Sequence, residues 1–273
     1  MEEKILICED SLEGVFTAVY QAYAWRLDKE HVFLQIGEEE NLRLFAEYIT
    51  VAPEPEKAEK VASTVIRMMG EEGYWDLCCM LASNDREKGQ AVYRTIVTAL
   101  KNGQGRNVLS NVKEPYIQKA FEIARNVNYE IHHMYGFLRF AELENGILYA
   151  KIGPKNNIAT LLAPHFADRF PLENFMIHDA GRQIYVLHPA KKGCFVVTGK
   201  ECEELCLPEY SKEELYFQSL FVEFCHTIAI KERENLKLQR NMLPLRFQGK
   251  KVIKMFLNND KREKSRCTIC IKW

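Results

Sequence analysis

No apolar run in the sequence approaches the ~20 residues that a membrane-spanning helix requires. The first residues, Met1-Glu2-Glu3-Lys4, are charged and lead into a strand-like segment, so they lack the apolar region of a secretory signal. The nine cysteines are odd in number and scattered, which does not fit a disulfide framework. These absences predict a cytoplasmic protein that does not enter a membrane.

Complete catalytic signatures are also missing. Gly103-Gln104-Gly105-Arg106 contains two glycines, but no Walker lysine-serine pair follows, which argues against a P-loop. No serine or cysteine lies in a nucleophile-elbow context, which argues against acyl transfer. Cys267-Thr268-Ile269-Cys270 is a CxxC motif without a second pair or a histidine nearby, so it does not predict a zinc site.

What the sequence contains is the composition of an ordinary globular protein, with 273 residues that are 47% hydrophobic and 27% charged. That length suffices for one large domain or two smaller ones with a real core. The net charge of −1 conceals an asymmetry, because residues 231–273 carry 13 Lys and Arg against 4 Asp and Glu. This basic segment could seat a polyanion, and the alternative is a solvated tail docked on the acidic remainder of the chain.

Hydrophobic periodicity predicts an α+β fold, in which a helical N-terminal part with a few short strands precedes a mostly antiparallel sheet with packed helices. The first part has predicted strands at 5–8, 32–36 and 48–51. One helix follows Asp10-Ser11, which offers an N-cap, and a second follows Pro55 and breaks at Gly70.

The second part begins with a long helix from Pro115 that ends at Gly136. A hairpin across Asn145-Gly146 and a helix capped by Asn157 come next. Three further strands are predicted at 175–178, 184–187 and 194–197.

Ser211 and Glu214 form a capping box for the last strong helix. Its inward face is predicted to consist of Phe217, Leu220, Phe221, Phe224 and Cys225. We divide the chain into an N-terminal α/β subdomain (1–83), a C-terminal α+β domain (84–250) and a basic, disordered tail (251–273).

Polar residues concentrate between positions 132 and 182, which hold four of the seven histidines. His178 directly precedes Asp179. His165 lies three residues before Asp168. An imidazole oriented by a carboxylate is half of a general-base site, so His165, His178 and Asp179 are predicted catalytic residues. The alternative is a structural role, in which each imidazole donates to a carboxylate or to the backbone.

One more pair, Glu130 and His133, has the i, i+3 spacing of carboxylate-bridged metal sites. Such sites need a second copy of the pair, which the sequence does not contain. No metal site is therefore predicted, and no residue pattern indicates a cofactor.

Arginines are the candidate nucleic-acid contacts, because a guanidinium can bind a phosphate through two parallel hydrogen bonds. Those predicted to do so are Arg139, Arg169, Arg182, Arg233, Arg240 and Arg246. His165 and Phe166 could stack on an extruded base. The alternative is that the arginines are surface residues or ion-pair partners of Asp168 and Asp179.

Two segments carry a resemblance to a known family. They are His132-His133-Met134-Tyr135-Gly136-Phe137-Leu138-Arg139-Phe140 and Leu162-Ala163-Pro164-His165-Phe166-Ala167-Asp168-Arg169-Phe170. The full matching pieces extend these segments to residues 130–140 and 162–171, and residues 10–14, 18–23, 177–179 and 227–240, with Met242 and Pro244, add to the resemblance. Together they resemble a bacterial family of uncharacterised proteins associated with DNA metabolism or repair. Its members are encoded beside a radical S-adenosylmethionine protein, and their C-terminal half also occurs fused to uracil-DNA glycosylase-type domains.

The resemblance covers roughly residues 1–248 and implies DNA and the radical S-adenosylmethionine protein as partners. Two departures from the family pattern are Asp10 or its neighbour, where a glycine is usual, and the looser Pro244-Leu245-Arg246-Phe247. The first hypothesis is a DNA-binding accessory of that radical enzyme. Its rivals are a DNA-lesion hydrolase or glycosylase-like enzyme that uses a His/Asp pair, and a protein-interaction module whose basic end docks an acidic partner.

Overall fold

The structure is a computed structural model that describes residues 3–37, 43–102, 105–110, 114–198 and 208–230, with Asn235, Lys237, Leu238 and Asn241. The tail 251–273 and its CxxC motif lie outside the described residues. Two compact units fall within residues 1–129 and 130–273, whereas the sequence-based division at residue 84 rests on turns and composition. None of the helices described is both long enough and apolar enough to cross a bilayer.

The first unit contains a three-stranded sheet and several helices. Its elements are β1 (Glu3–Cys8), α1 (Leu12–Ala24), β2 (Val32–Ile36), β3 (Ala46–Thr50), α2 (Pro55–Ala82), α3 (Lys88–Asn102), a 3-10 turn (Gly105–Ser110) and the first part of α4 (Pro115–Phe137). The strands pair in parallel in the order β2-β1-β3. β1 is therefore the central strand, and its Ile5 and Leu6 are buried.

Local signals in the sequence set the ends and the break of these helices. The predicted N-cap of α1 at Asp10-Ser11 is confirmed, and the capping residue is Ser11, whose hydroxyl accepts a hydrogen bond from the Gly14 N–H at 2.9 Å. α2 is interrupted at Gly70, whose backbone adopts φ 77° and ψ 177°. The predicted break is thus confirmed as a single non-helical residue between two helical halves.

Substitution of Gly70 by alanine is expected to lower the free energy of unfolding by about 1–2 kcal/mol, because a side chain is strained at positive φ. No atom lies within 4 Å of the added Cβ, so backbone strain rather than collision is tested. Gly136→Ala is the matched control, since Gly136 is helical and its Cβ would also meet open space. Urea denaturation should show a loss for Gly70→Ala and none for Gly136→Ala; equal values would contradict this account.

The second unit carries a five-stranded sheet. After the end of α4 come β4 (Ala141–Glu142), β5 (Leu148–Ile152), α5 (Ala159–Arg169), β6 (Phe175–Asp179), β7 (Ile184–His188), β8 (Phe195–Val197) and α6 (Lys212–Ile228). The strand order is β4-β5-β6-β7-β8, and only β5 and β6, which α5 connects, are parallel. The α+β class and the mostly antiparallel sheet are therefore confirmed.

The start of α5 differs from the prediction. Asn157 was expected to cap this helix, but the N-cap position is Ile158, and its side chain makes no capping hydrogen bond. The segment before the helix is held instead by hydrogen bonds of Lys155 and Asn156 to a buried carboxylate on α4. A long-range contact thus replaces the expected local one.

α6 begins as predicted but is not buried as predicted. The Ser211 hydroxyl accepts from the Glu214 N–H at 3.0 Å, so the N-cap is confirmed. The predicted inward face was wrong, because Phe217 is 64% and Phe224 56% exposed, and Leu220 and Phe221 are exposed as well. The described part of the chain supplies no element that buries this face.

Candidate nucleic-acid interface

The last turns of α4 present one side of the candidate surface. His132 is exposed and Tyr135 is half-buried, and their rings meet edge to face at 6.0 Å. Just beyond the helix, Arg139 Nη1 donates to the carbonyls of Gly136 at 3.1 Å and Leu138 at 3.0 Å. A cation at the C-terminal end of a helix is favourable, because it faces the negative end of the helix dipole. Arg139 is thereby fixed at this end while its side chain stays exposed.

α5 presents the other side of the surface. Its buried face consists of Ala159, Leu162, Ala163 and Phe166. His165 and Arg169 both lie on the exposed face. Residues four apart in a helix are neighbours on one face, so the imidazole and the guanidinium are one turn apart.

Tyr135 and His165 join the two helices through a stacked ring pair. Their ring centroids are 4.0 Å apart and the ring planes differ by 23°. Phe166 supports both rings edge-on, at 6.3 Å from Tyr135 and 5.1 Å from His165. The imidazole is therefore held flat against the phenol ring at an exposed position, which is the arrangement on which a nucleic-acid base can stack.

Phenylalanines below this pair position the basic residues. Phe140 contacts the rings of Phe166 at 5.2 Å, Phe170 at 5.7 Å and Phe175 at 5.4 Å. Arg139 directly precedes Phe140 in the chain, and Arg169 directly precedes Phe170. The Phe140–Phe170 contact thus brings the segments that carry the two arginines together.

The turn between β7 and β8 adds two lysines that the sequence analysis missed. The Lys191 N–H donates to the Pro171 carbonyl at 2.8 Å, which places the turn beside the end of α5. Lys191 and Lys192 are both exposed. The signal was only a Lys-Lys pair in a turn, and its position near Arg169 depends on the tertiary fold. We call the set Tyr135, Arg139, His165, Arg169, Lys191 and Lys192 the stacking surface.

Arg182 and Asp179, also predicted site residues, are used within the fold. Asp179 is fully buried, and it accepts from the Gly181 N–H at 2.9 Å and from Arg182 Nη1 at 3.0 Å. Arg182 donates further to the carbonyls of Pro154 at 3.2 Å and Lys155 at 2.6 Å. This geometry ties the turn after β6 to the segment that leads into α5.

Glu130 on α4 also holds the segment that leads into α5. Only 3% of it is exposed, and its carboxylate accepts from the N–H of Lys155 at 2.8 Å and of Asn156 at 3.0 Å. The Asn156 side-chain amide donates to the same carboxylate at 2.7 Å. His133 instead stacks on Phe137 at 6.1 Å. Within the described ranges, no group of three or more His, Cys, Asp or Glu side chains could hold a metal ion.

His178 is a core residue of the sheet. The Tyr149 hydroxyl and His178 Nδ1 are hydrogen-bonded at 2.7 Å, and the imidazole stacks on Tyr185 at 4.1 Å with an interplanar angle of 11°. Its Nε2 is buried and has no hydrogen bond of good geometry to any described residue. Burial lowers the pKa of His178 below its ordinary value, and the charge of Lys151 lowers it further, while Gln183 and Asp179 oppose the shift.

The predicted His/Asp pairing does not form in β6. Successive side chains of a strand point to opposite faces of the sheet, so His178 and Asp179 face away from each other. Phe175 and Asp179 share the face that packs against α5 through Phe140 and Phe166. His178 and His165 therefore lie on different sides of the sheet, and the predicted catalytic residues do not converge.

The burial of His178 predicts a pH effect on stability. The pKa of His178 in the folded protein lies below the ordinary value of 6.5. At pH values near and below 6.5, the unfolded chain therefore binds more protons than the folded protein does. The free energy of unfolding is therefore expected to fall as the pH drops from about 7.5 to about 5.5. His178→Gln should reduce that fall, as measured by urea denaturation at both pH values. His226→Gln, at an exposed site on α6, is the control, and an equal fall in all three proteins would contradict the prediction.

Three predicted contacts, Arg233, Arg240 and Arg246, lie outside the described residues.

Comparison with known proteins gives one family: a model described as a domain of unknown function (DUF4130) matches residues 86–250. The match includes the whole stacking surface. No curated protein matches the chain.

Proposed function

The chain belongs to the DUF4130 family, whose function is unknown and whose matched region includes the stacking surface. From the geometry of that surface and the sequence resemblance, we propose that the chain is a DNA-metabolism protein that holds single-stranded DNA there. The observation that supports this most is the exposed imidazole of His165, held 4.0 Å from the Tyr135 ring beside basic side chains. Aromatic rings next to arginines are the usual elements of single-strand recognition.

In this proposal, a base stacks against His165, while Arg139 and Arg169 contact the neighbouring phosphates. A guanidinium suits that task because it can form two parallel hydrogen bonds to phosphate oxygens. Both hydrogen bonds of Arg139 to the chain come from Nη1, so its other donors can face the ligand. Every base has a flat aromatic face, so we expect little dependence on base sequence.

The sequence resemblance supports a further step, in which the bound strand is presented to a radical S-adenosylmethionine enzyme that modifies or repairs DNA. That partner would bring its own iron–sulfur cluster, held by its own cysteines. Co-purification of the chain with a radical S-adenosylmethionine enzyme of the kind that the resemblance implies tests this association. Persistence after nuclease treatment would indicate a protein contact, and complete loss would indicate a bridge of DNA.

Hydrolysis of a DNA lesion is the rival hypothesis, and the geometry favours it less. A general base must lie within hydrogen-bond reach of a reacting group, but His178 is buried and Asp179 is engaged by Arg182. His165 is the exposed member of the predicted catalytic set. Release of free uracil from uracil-containing single strands, by hydrolysis of the glycosidic bond, would favour hydrolysis over binding alone.

Salt dependence tests the phosphate contacts of the proposal. The affinity for a fluorescein-labelled oligothymidylate should fall as salt rises, with a slope of about 0.7 in log–log units for each phosphate neutralised. The double variant Arg139→Gln/Arg169→Gln should lower that slope by about 1.4, because it removes two such contacts. Fluorescence anisotropy between about 50 and 200 mM salt measures both slopes.

The control for the arginine variant is Lys151→Gln, because Lys151 is exposed on the face of the sheet opposite α5. Its slope should equal that of the wild-type protein. Absence of any binding at low salt would refute the proposed function. Binding with equal slopes in all three proteins would place the contacts elsewhere.

A further inference from the structure

The first unit contains a cavity of about 210 Å³ between α1, α2 and α3. Its walls are apolar and include Val19, Val61, Val65, Met69, Ile96 and Ala99. Apolar cavities of about 150 Å³ are known to bind a benzene ring. A ring or a short hydrocarbon chain therefore fits this space and would restore the contacts that an empty cavity lacks.

Tyr23 is one of the residues that line the cavity. Its hydroxyl is buried, and it forms no hydrogen bond with any described residue. Burial also raises the pKa of Tyr23, which keeps the hydroxyl protonated as a donor. A buried donor without an acceptor is unfavourable, so a ligand that offers an oxygen atom would satisfy it.

Two lysines lie near the edge of the cavity. Lys57 Nζ and Lys60 Nζ lie 5.8 and 5.9 Å from the ring centroid of Tyr20, which also lines the cavity. Lys57 forms an ion pair with Glu54 at 2.6 Å, whereas Lys60 forms none with the residues described. Lys60 is exposed and thus remains available to an anionic group at the edge.

We propose that this cavity binds a small amphipathic carboxylate, such as a medium-chain fatty acid or an aromatic acid. The hydrocarbon part occupies the space between the helices. The Lys60 ammonium and the Tyr23 hydroxyl make the polar contacts. The combination explains why an apolar cavity has a donor in its wall and an unpaired cation at its edge.

Titration of the full chain with sodium octanoate tests the proposal, with acetate as the anion control and 1-octanol as the neutral control. Calorimetry should show saturable binding of octanoate, no binding of acetate, and binding of 1-octanol at least fivefold weaker than that of octanoate. Octanoate should also raise the melting temperature in a concentration-dependent manner. Failure of octanoate to bind would overturn the proposal, as would equal affinities for octanoate and octanol, which would indicate an unspecific apolar cavity.

Four variants test which side chains contact the bound octanoate. Lys60→Met and Tyr23→Phe should each weaken octanoate binding about fivefold or more while leaving octanol binding unchanged, and Lys151→Met, in the second unit, should change neither. Ala99→Leu fills the cavity and should abolish binding of both probes. If that variant fails to fold, the Lys60 and Tyr23 variants decide the matter. Octanoate binding that all four variants leave unchanged would place the ligand elsewhere and overturn the proposed site.

Discussion

His165→Ala is expected to weaken binding of single-stranded DNA about tenfold, because stacking of one base on an aromatic side chain contributes about 1–3 kcal/mol. His165 is exposed, so its removal does not open the core. The Tyr135 ring, 4.0 Å away, would lose its cover and keep its own support from Phe166. The expected change is therefore in affinity, with the fold preserved.

Fluorescence anisotropy with a labelled oligothymidylate measures the effect, and circular dichroism verifies the fold. His165→Phe separates stacking from charge and proton transfer, because it retains a ring without a titratable nitrogen. It should recover most of the affinity that alanine loses. The proposal fails if His165→Ala binds as tightly as the wild-type protein. If His165→Phe binds the oligonucleotide as weakly as His165→Ala does, then His165 does not contact DNA by stacking.

Much of the fold could be predicted because its signals are local. Ser11, Gly70 and Ser211 each act within a few residues of their own position, through a cap or a backbone conformation that only glycine adopts readily. The parallel pairing of β5 with β6 is different, since it depends on how α5 crosses between them. No residue in either strand encodes that direction.

Less of the candidate site than of the fold could be predicted from the sequence. His165 and Arg169 were identified from the sequence, but the partner ring of Tyr135 lies 30 positions upstream. Lys191 reaches the surface only through its backbone bond to Pro171. A stacked pair between two helices is a product of packing, and periodicity specifies only which face of each helix is buried.

The His178-Asp179 pairing could have been rejected from the sequence itself. Residues 175–178 were predicted to be a strand, and strand geometry turns successive side chains to opposite faces. Adjacent positions in β6 therefore could not form an imidazole–carboxylate pair. The structure adds what alternation does not give, namely that Tyr149 and Tyr185 enclose His178 in the core.

The role of Glu130 in the structure differs from the one that its sequence spacing indicated. As one half of an i, i+3 pair with His133 it indicated a metal ligand, yet both of its oxygens accept hydrogen bonds from the Lys155-Asn156 segment. The neighbouring positions Val127, Ile131 and Met134 are buried. An acidic residue on such a face rarely remains unpaired, so that pattern already favoured an internal partner over a metal.

Glu130→Ala is accordingly expected to lower the free energy of unfolding by about 3 kcal/mol, since it leaves buried donors without acceptors. The donors are the N–H groups of Lys155 and Asn156 and the Asn156 amide. Glu130→Gln should cost about half as much, because its carbonyl oxygen still accepts while its amide faces a donor.

Glu122→Ala is the matched control for this loss. It removes an exposed carboxylate from the same helix, where its hydrogen bond is to Gln118 one turn away, and should change stability by less than about 0.5 kcal/mol. Urea denaturation should rank the four proteins, from least to most stable, as Glu130→Ala, Glu130→Gln, Glu122→Ala and wild type. Equal stability of Glu130→Ala and Glu122→Ala would mean that the carboxylate does not hold this segment. The expected order instead makes Glu130 the residue through which α4 fixes the start of α5, and so the position of His165.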